Sequence, residues 1–155
     1  MSWEKKSLED ICEFTRGAFG GSLKKSIFVE EGYAVYEQKH AIYNEFNKVR
    51  YFITAEKFEE MKRFELKPND LVMSCSGTLG KVSIVPDGIQ RGIINQALLK
   101  LTPNKTVVKE YLKYYLTSSL FQEYLESISG GAAIKNVPSV KILKKSEILL
   151  PPLPV

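Results

Sequence analysis

The sequence predicts an α+β fold: a small mixed or antiparallel β-sheet core with flanking helices in a single domain. Three observations predict it. Residues 66–103 hold short apolar runs separated by turn chemistry. Residues 55–63 and 106–128 carry apolar side chains at helical spacing. The 155 residues suffice for one real core, and 44% hydrophobic with 26% charged content is the balance of a folded chain.

Ser7 stands where it can cap a first helix, with Asp10 three residues on and Leu8, Ile11 and Cys12 or Phe14 on its buried side. Residues 16–22 break regular structure, either as a plain connector or as a close approach to a neighbour. Residues 33–53 interleave Tyr33, Tyr36, Tyr43, Phe46, Tyr51 and Phe52 with Gln38, Lys39, His40, Asn44, Asn47, Lys48 and Arg50. Two β-segments around a turn near residues 44–48 fit that row best. Thr54 caps a helix over residues 55–63, with Phe58 and Met61 on one face and Glu56, Glu59, Glu60 and Lys62 on the other. That acidic face repels phosphate and should point away from any nucleic acid.

Pro68-Asn69-Asp70 opens a turn into an apolar strand over residues 71–75. Ser76-Gly77-Thr78-Leu79-Gly80 then forms a tight loop. Residues 81–85 alternate, with Val82 and Ile84 inward and Lys81 and Ser83 outward, before the turn Pro86-Asp87-Gly88. Residues 89–94 and 97–101 give two further strands, with Arg91 and Asn95-Gln96 set among them. Thr106 opens a helix bearing Val108, Tyr111, Leu112, Tyr115 and Leu116 on one face. Thr117-Ser118-Ser119 interrupts it, and Ser119 with Gln122 reads as the capping box of a second helix carrying Phe121, Tyr124, Leu125 and Ile128. Ser129-Gly130-Gly131 ends that helix. A loop with Lys135 and Asn136, a turn at Pro138-Ser139 and a lysine cluster (Lys141, Lys144, Lys145) precede a last strand over residues 147–150. Pro151-Pro152-Leu153-Pro154 is a stiff, extended exit.

Several classes are excluded. No apolar run approaches the length of a membrane span and the first ten residues lack the apolar centre of a signal peptide, so a cytoplasmic protein with no membrane partner is expected. Cys12 and Cys75 sit in apolar runs and read as buried free thiols. His40 is the only histidine, which leaves too few ligands for zinc; no metal and no cofactor are expected. Only Thr78 and Leu79 separate Gly77 from Gly80, and Val82 follows Lys81, so the spacing of a nucleotide phosphate loop fails. His40 beside Tyr36 and Glu37 lacks a full catalytic constellation. The net charge of +4 permits an acidic partner without requiring one. Aromatic, basic and amide residues side by side suit a nucleic-acid surface. The rival is a protein-interaction module with a tyrosine-rich β-surface.

Trp3, Leu8 with Asp10-Ile11, and Gly17 come first; Asp70-Leu71, Ser76-Gly77-Thr78-Leu79-Gly80-Lys81 and Asn95-Gln96 follow; Tyr111-Leu112, Gly131 and Leu150-Pro151-Pro152-Leu153 complete the order. Together they resemble the target recognition domain of a type I restriction–modification specificity subunit, over essentially the whole chain. Leu79 stands where Ile is more usual. The resemblance implies a loop-bearing face that reads a few base pairs of duplex DNA. It also implies methyltransferase and restriction subunits that carry the catalysis. No Asn-Pro-Pro-Tyr or Asp-Pro-Pro-Tyr run for adenine methylation is present, and Pro86-Asp87 is not followed by Glu-x-Lys. Residues 1–150 are then the recognition domain and residues 151–155 the start of a linker to a helix. Such subunits carry two recognition domains, so this chain is expected to be one of them, as a cut piece or as a half-subunit able to dimerise. Within this reading Gln38, His40, Asn44, Arg50 and Arg91 are expected at base edges, and Lys39, Ser76, Thr78, Lys81 and Lys135 at the DNA surface, largely on phosphate. Asp70, Gly77 and Gly80 shape the central loop, and Asn95 and Gln96 fix it by internal hydrogen bonds.

Overall fold

The computed structural model describes residues 2–18, 23–129 and 140–152. The chain runs β1 (Glu4–Ser7), α1 (Leu8–Ile11), β2 (Cys12–Arg16), a 3-10 turn at Lys25–Ile27, β3 (Tyr33–Tyr36), α2 (Gln38–Tyr43) and β4 (Phe52–Ile53). It continues through α3 (Ala55–Glu60), a 3-10 turn at Lys62–Phe64, β5 (Glu65–Leu66), β6 (Leu71–Ser74), β7 (Val82–Ile84), β8 (Gly92–Ile94) and β9 (Leu98–Pro103). It closes with α4 (Lys109–Thr117), α5 (Ser119–Ile128), α6 (Val140–Lys145) and β10 (Glu147–Leu150). The expected features at Lys135, Asn136, Pro138-Ser139 and Leu153-Pro154 lie outside the described residues.

Three sheets result. One has four antiparallel strands in the order β2-β9-β6-β7; the second runs β4-β3-β8-β5. In the second, β3 and β8 are parallel, with Ala34 opposite Gly92 and Tyr36 opposite Ile94. The third pairs the first strand with the last, Glu4 opposite Leu150 and Ser7 opposite Glu147. The class is α+β with mixed sheets.

Layers follow from which face each strand buries. Leu71 and Met73 of β6 point to a layer made by α1, α4, α5 and α6, through Leu8, Leu112, Phe121 and Leu143. Val72 points the other way, into a second layer with Leu98, Tyr36 and Ile94 that joins the two four-stranded sheets. Val35 and Ile93 leave the far face of the second sheet to pack on Phe58 of α3 and on Met61, which ends that helix. With both faces covered, β6 reads as an unbroken apolar run instead of an alternating one. Ser83 is correspondingly buried, not outward, and its hydroxyl donates to the Ala41 carbonyl at 2.7 Å. Each large apolar side chain buried this way contributes about 1.5–3 kcal/mol.

Local signals explain the ends of elements. Thr54 accepts from the Lys57 amide at 3.1 Å and caps α3. The carboxylate of Asp10 accepts from both the amide and hydroxyl of Ser7, which holds it below the usual carboxylate range. The second of the paired helices is capped one residue earlier than expected: the hydroxyl of Ser118, not Ser119, accepts from the Phe121 amide. Gly17 is a close approach: an added Cβ would lie 1.8 Å from the Asn95 carbonyl oxygen. No helix among the described residues is long and apolar enough to cross a membrane.

Cys12 and Cys75 are free and buried, and burial pushes each thiol from 9.0 up to about 12. An unfolded thiol ionises first, so unfolding releases protons. Their contribution to stability is complete below pH 9.0 and declines as pH rises towards about 12. Native protein at neutral pH should therefore leave both thiols unreacted with a chromogenic disulfide reagent, whereas the urea-unfolded chain should titrate two. Rapid reaction of either thiol in the native state would contradict the packing.

Candidate nucleic-acid interface

Residues 33–53 do not form the expected pair of β-segments around a turn. Glu37, extended at φ −115°, starts a helix, and Asn44, in the left-handed region at φ 53°, ends it. Asparagine tolerates that conformation better than other side-chain-bearing residues. Only β3 and the two-residue β4 remain as strands. The tyrosine-rich β-surface is likewise absent: Tyr36 and Phe46 are core, Tyr33 stacks on Phe58 at 4.1 Å and Tyr51 on Phe28 at 4.6 Å. Of the six aromatics, Tyr43 alone stands mainly in solvent.

The short helix α2 is bolted to the glycine loop. The Gln38 side-chain oxygen accepts from the amides of Cys75 (3.0 Å) and Ser76 (2.9 Å), while its nitrogen donates to the Ser76 carbonyl at 2.5 Å. One amide thus grips two successive loop residues. Beyond them the Gly80 amide donates to Ser74, and Gly80 holds φ 79° against Leu125 and Gln122 of α5. The Gln122 amide donates to the carbonyls of Gly80 (3.0 Å) and Leu116 (2.7 Å), so it clamps the loop instead of completing a capping box. Gly77, at φ 70°, projects into open space beside exposed Thr78.

His40 is buried within the same unit. The Glu37 amide donates to its Nδ1 at 2.9 Å, which leaves Nε2 to donate to the Lys48 carbonyl at 2.9 Å. The expectation that Gln38 and His40 stand ready at base edges is corrected accordingly. Both are engaged with backbone and position other groups. Asp70 is also relocated. It precedes β6, at the opposite end of that strand from the glycine loop. Its carboxylate accepts from the Lys67 amide (2.9 Å) and the Thr102 hydroxyl (2.8 Å), and burial raises its pKa. Asn95 accepts from the Ala97 amide at 3.0 Å, and the Gln96 carbonyl accepts from Arg16 at 3.0 Å. These two shape the turn between β8 and β9.

Two arginines are preset by buried carboxylates that sequence reading passed over. Arg50 donates through Nε to both oxygens of Glu37 (3.2 and 3.0 Å) and through Nη2 to Oε1 at 2.7 Å. Its guanidinium also lies 4.6 Å from the Tyr51 ring centre. The Glu37 side chain is 12% exposed and that of Arg50 59%, so the carboxylate lies beneath and the outer guanidinium edge faces solvent. Arg91 repeats the arrangement on Glu65 at 3.1 Å, over Tyr33 and Phe58. The parallel register separates the two. Arg91 precedes β8 at the level of Tyr33, whereas Glu37 follows β3 at its other end. Arg91 therefore neighbours α3, and Glu59 of its acidic face acts on it.

Arg50, Lys39, Asn44, Ser76, Thr78 and Lys81 thus lie on α2, the segment after it and the loop clamped to it. Arg91 stands apart, and Lys135 lies outside the described residues. The sequence names Glu37 beside His40 and Gln122 as a capping-box residue, but no sequence signal marks Glu37 and Glu65 as arginine partners or Gln122 as the clamp on Gly80, because each acts on a residue brought near by the fold alone. Among the described residues no group of three His, Cys, Asp or Glu side chains could hold a metal ion.

A profile of the family described as Type I restriction modification DNA specificity domain matches residues 1–155. The chain is 29% identical over 93 residues to the type I restriction enzyme EcoBI specificity subunit of Escherichia coli, a match covering 59% of this chain and 19% of that one. A solved chain described under complex assembly and conformational transition of the type I R-M system superposes with a TM-score of 0.73 at 21% identity, covering 98% of this chain and 35% of that chain. The HsdS subunit from Thermoanaerobacter tengcongensis gives 0.69 at 21% identity, covering 97% and 34% respectively. The structural likeness shows a shared fold, and this chain spans about a third of those solved chains.

Gln38→Ala removes the acceptor of two loop amides, and leaving such groups unsatisfied costs about 1–3 kcal/mol. Urea titration should show a loss of that size, with faster hydrogen exchange at Cys75 and Ser76 than at β9. Unchanged exchange at both amides would show that the loop holds itself.

Proposed function

The chain belongs to the type I restriction modification DNA specificity domain family, and from that membership we propose that it reads a short stretch of duplex DNA on behalf of a larger assembly. The observation that carries this reading is the face built on α2 and the glycine loop. There an oriented guanidinium, two lysines, an asparagine amide and a threonine hydroxyl stand on a helix, the segment after it and a loop that Gln38 and Gln122 hold in place. Recognition needs side chains held in place before the ligand arrives, since ordering them on binding costs about 0.5–1.5 kcal/mol for each rotamer-rich side chain.

Within this reading Arg50 is a base reader. Glu37 occupies its Nε side, and the remaining edge matches the paired acceptors of guanine in the major groove. Asn44 offers an amide suited to adenine. Lys39, Ser76, Thr78 and Lys81 contact the backbone. Gln38, His40, Gly77 and Gly80 hold these groups in register. Arg91 is placed outside the reading face, because the acidic outer side of α3 beside it repels phosphate. Residues 1–150 act as the recognition unit, and residues 151–155 begin the connection to a following element. Catalysis is assigned to methyltransferase and restriction subunits, with a second recognition unit supplied by another domain or another copy. The assembly works in the cytoplasm.

Selection of bound duplexes from a random pool tests the reading directly; enrichment of no sequence would reject it. Arg50→Ala should then relax preference at one or two base pairs by ~1–3 kcal/mol while leaving affinity for unrelated DNA nearly unchanged. Competition titrations with each base pair of the site substituted in turn make the measurement. Equal losses on every duplex would reduce Arg50 to a backbone contact. Supplied with S-adenosylmethionine, ATP and Mg²⁺, the purified chain should neither methylate nor cleave DNA. Activity that co-elutes with the chain would overturn the assignment of catalysis to partners.

A further inference from the structure

Between the C-terminal end of α2, the start of β7 and the side of α4 lies a crevice of about 310 Å³. Its walls include Lys81 from the glycine loop, Lys113 from α4 and Asn44 at the end of α2, and no carboxylate. Four other crevices among the described residues each carry at least one carboxylate: Glu45 and Asp87, Glu123 and Glu126, Asp70 and Glu110, and Glu37. The crevice is also prebuilt. Ser83 ties one wall to Ala41, and Gln122 ties Gly80 to the end of α4. Many other lysines are committed: Lys57, Lys62 and Lys145 reach acidic neighbours at 3.2, 3.8 and 2.9 Å. Lys81 and Lys113 have no acidic partner within 4.0 Å among the described residues.

We propose that this crevice seats one backbone phosphate of duplex DNA, gripped by Lys81 and Lys113 from two sides. The proposal rests on the DNA-reading function and adds α4 to the contact surface. Two lysines bordering one crevice without a carboxylate in its lining favour a phosphodiester over a neutral or cationic ligand. A phosphate held there fixes the duplex relative to Arg50, so the contact sets register without reading sequence.

The test measures the salt dependence of binding to a specific and a scrambled duplex for the full chain. Each phosphate contact contributes about 0.9 to the slope of log affinity against log salt. Lys113→Ala should flatten the slope on both duplexes, and the double variant with Lys81→Ala should flatten it by about 0.9, the share of the one phosphate. Lys62→Ala, in the 3-10 turn after α3, should leave it unchanged. Reductive methylation read by mass spectrometry should show Lys81 and Lys113 protected by duplex and not by equimolar inorganic phosphate. A slope unmoved by Lys113→Ala, an equal change with Lys62→Ala, or protection by inorganic phosphate alone would overturn the site while the DNA reading stands. Wild-type chain that binds no duplex at any salt would overturn the DNA reading itself, and the site with it.

Discussion

Tyr36 and Ile94 from one sheet pack against Val72 and Leu98 from the other, and this shared layer governs where polar chemistry can stand. Helices cover the outer face of the first sheet and α3 covers that of the second, so no strand interior is left for a ligand. Functional side chains are confined to the ends of strands and the connections between them. Parallel pairing of β3 with β8 then sorts those connections into two groups at opposite ends of the strand pair. One end holds Glu37, α2 and the glycine loop; the other holds Arg91 and the acidic helix. The separation of a cation-rich face from an anionic one is thus a result of topology.

The support of the glycine loop and the exposure of its side chains are coupled at atomic scale. Gln38 and Gln122 hold the glycine loop from two sides through backbone groups, so the exposed residues between them need no bonds of their own to stay in place. Thr78 can vary in chemistry while its position is kept. The carboxylates beneath Arg50 and Arg91 act similarly. Each is nearly buried and uses its guanidinium both as counter-charge and as an oriented surface group. Substituting either arginine therefore exposes two effects at once: loss of the outward group and a carboxylate left poorly compensated.

Much of this was legible in the chain. Thr54 before an apolar–acidic alternation marked α3, and the heptad-like run through Leu112 and Leu116 marked α4. The unbroken apolar stretch ending at Cys75 marked a strand, and the motif order marked the family. Two kinds of information were not legible. Residues 33–53 carried enough aromatic residues to read as strand, yet His40 and Ala41 turn inward onto β6 and β7, and that packing makes six residues helical. Tertiary burial overrode propensity there. Polar side chains that work through long-range backbone contacts left no local trace. Gln38 reaches a loop 37 and 38 positions away, and Gln122 reaches Gly80 across 42. Nothing in the sequence singles out Lys113; the fold sets it on the same crevice as Lys81.

The pairing of β1 with β10 has a different kind of consequence. Glu4 lies opposite Leu150, so the points where the backbone enters and leaves the folded body sit about 5 Å apart. Adjacent entry and exit make the body a cassette. A short link could join these ends, and new termini opened in a loop elsewhere would leave the pairing of the remaining strands unchanged.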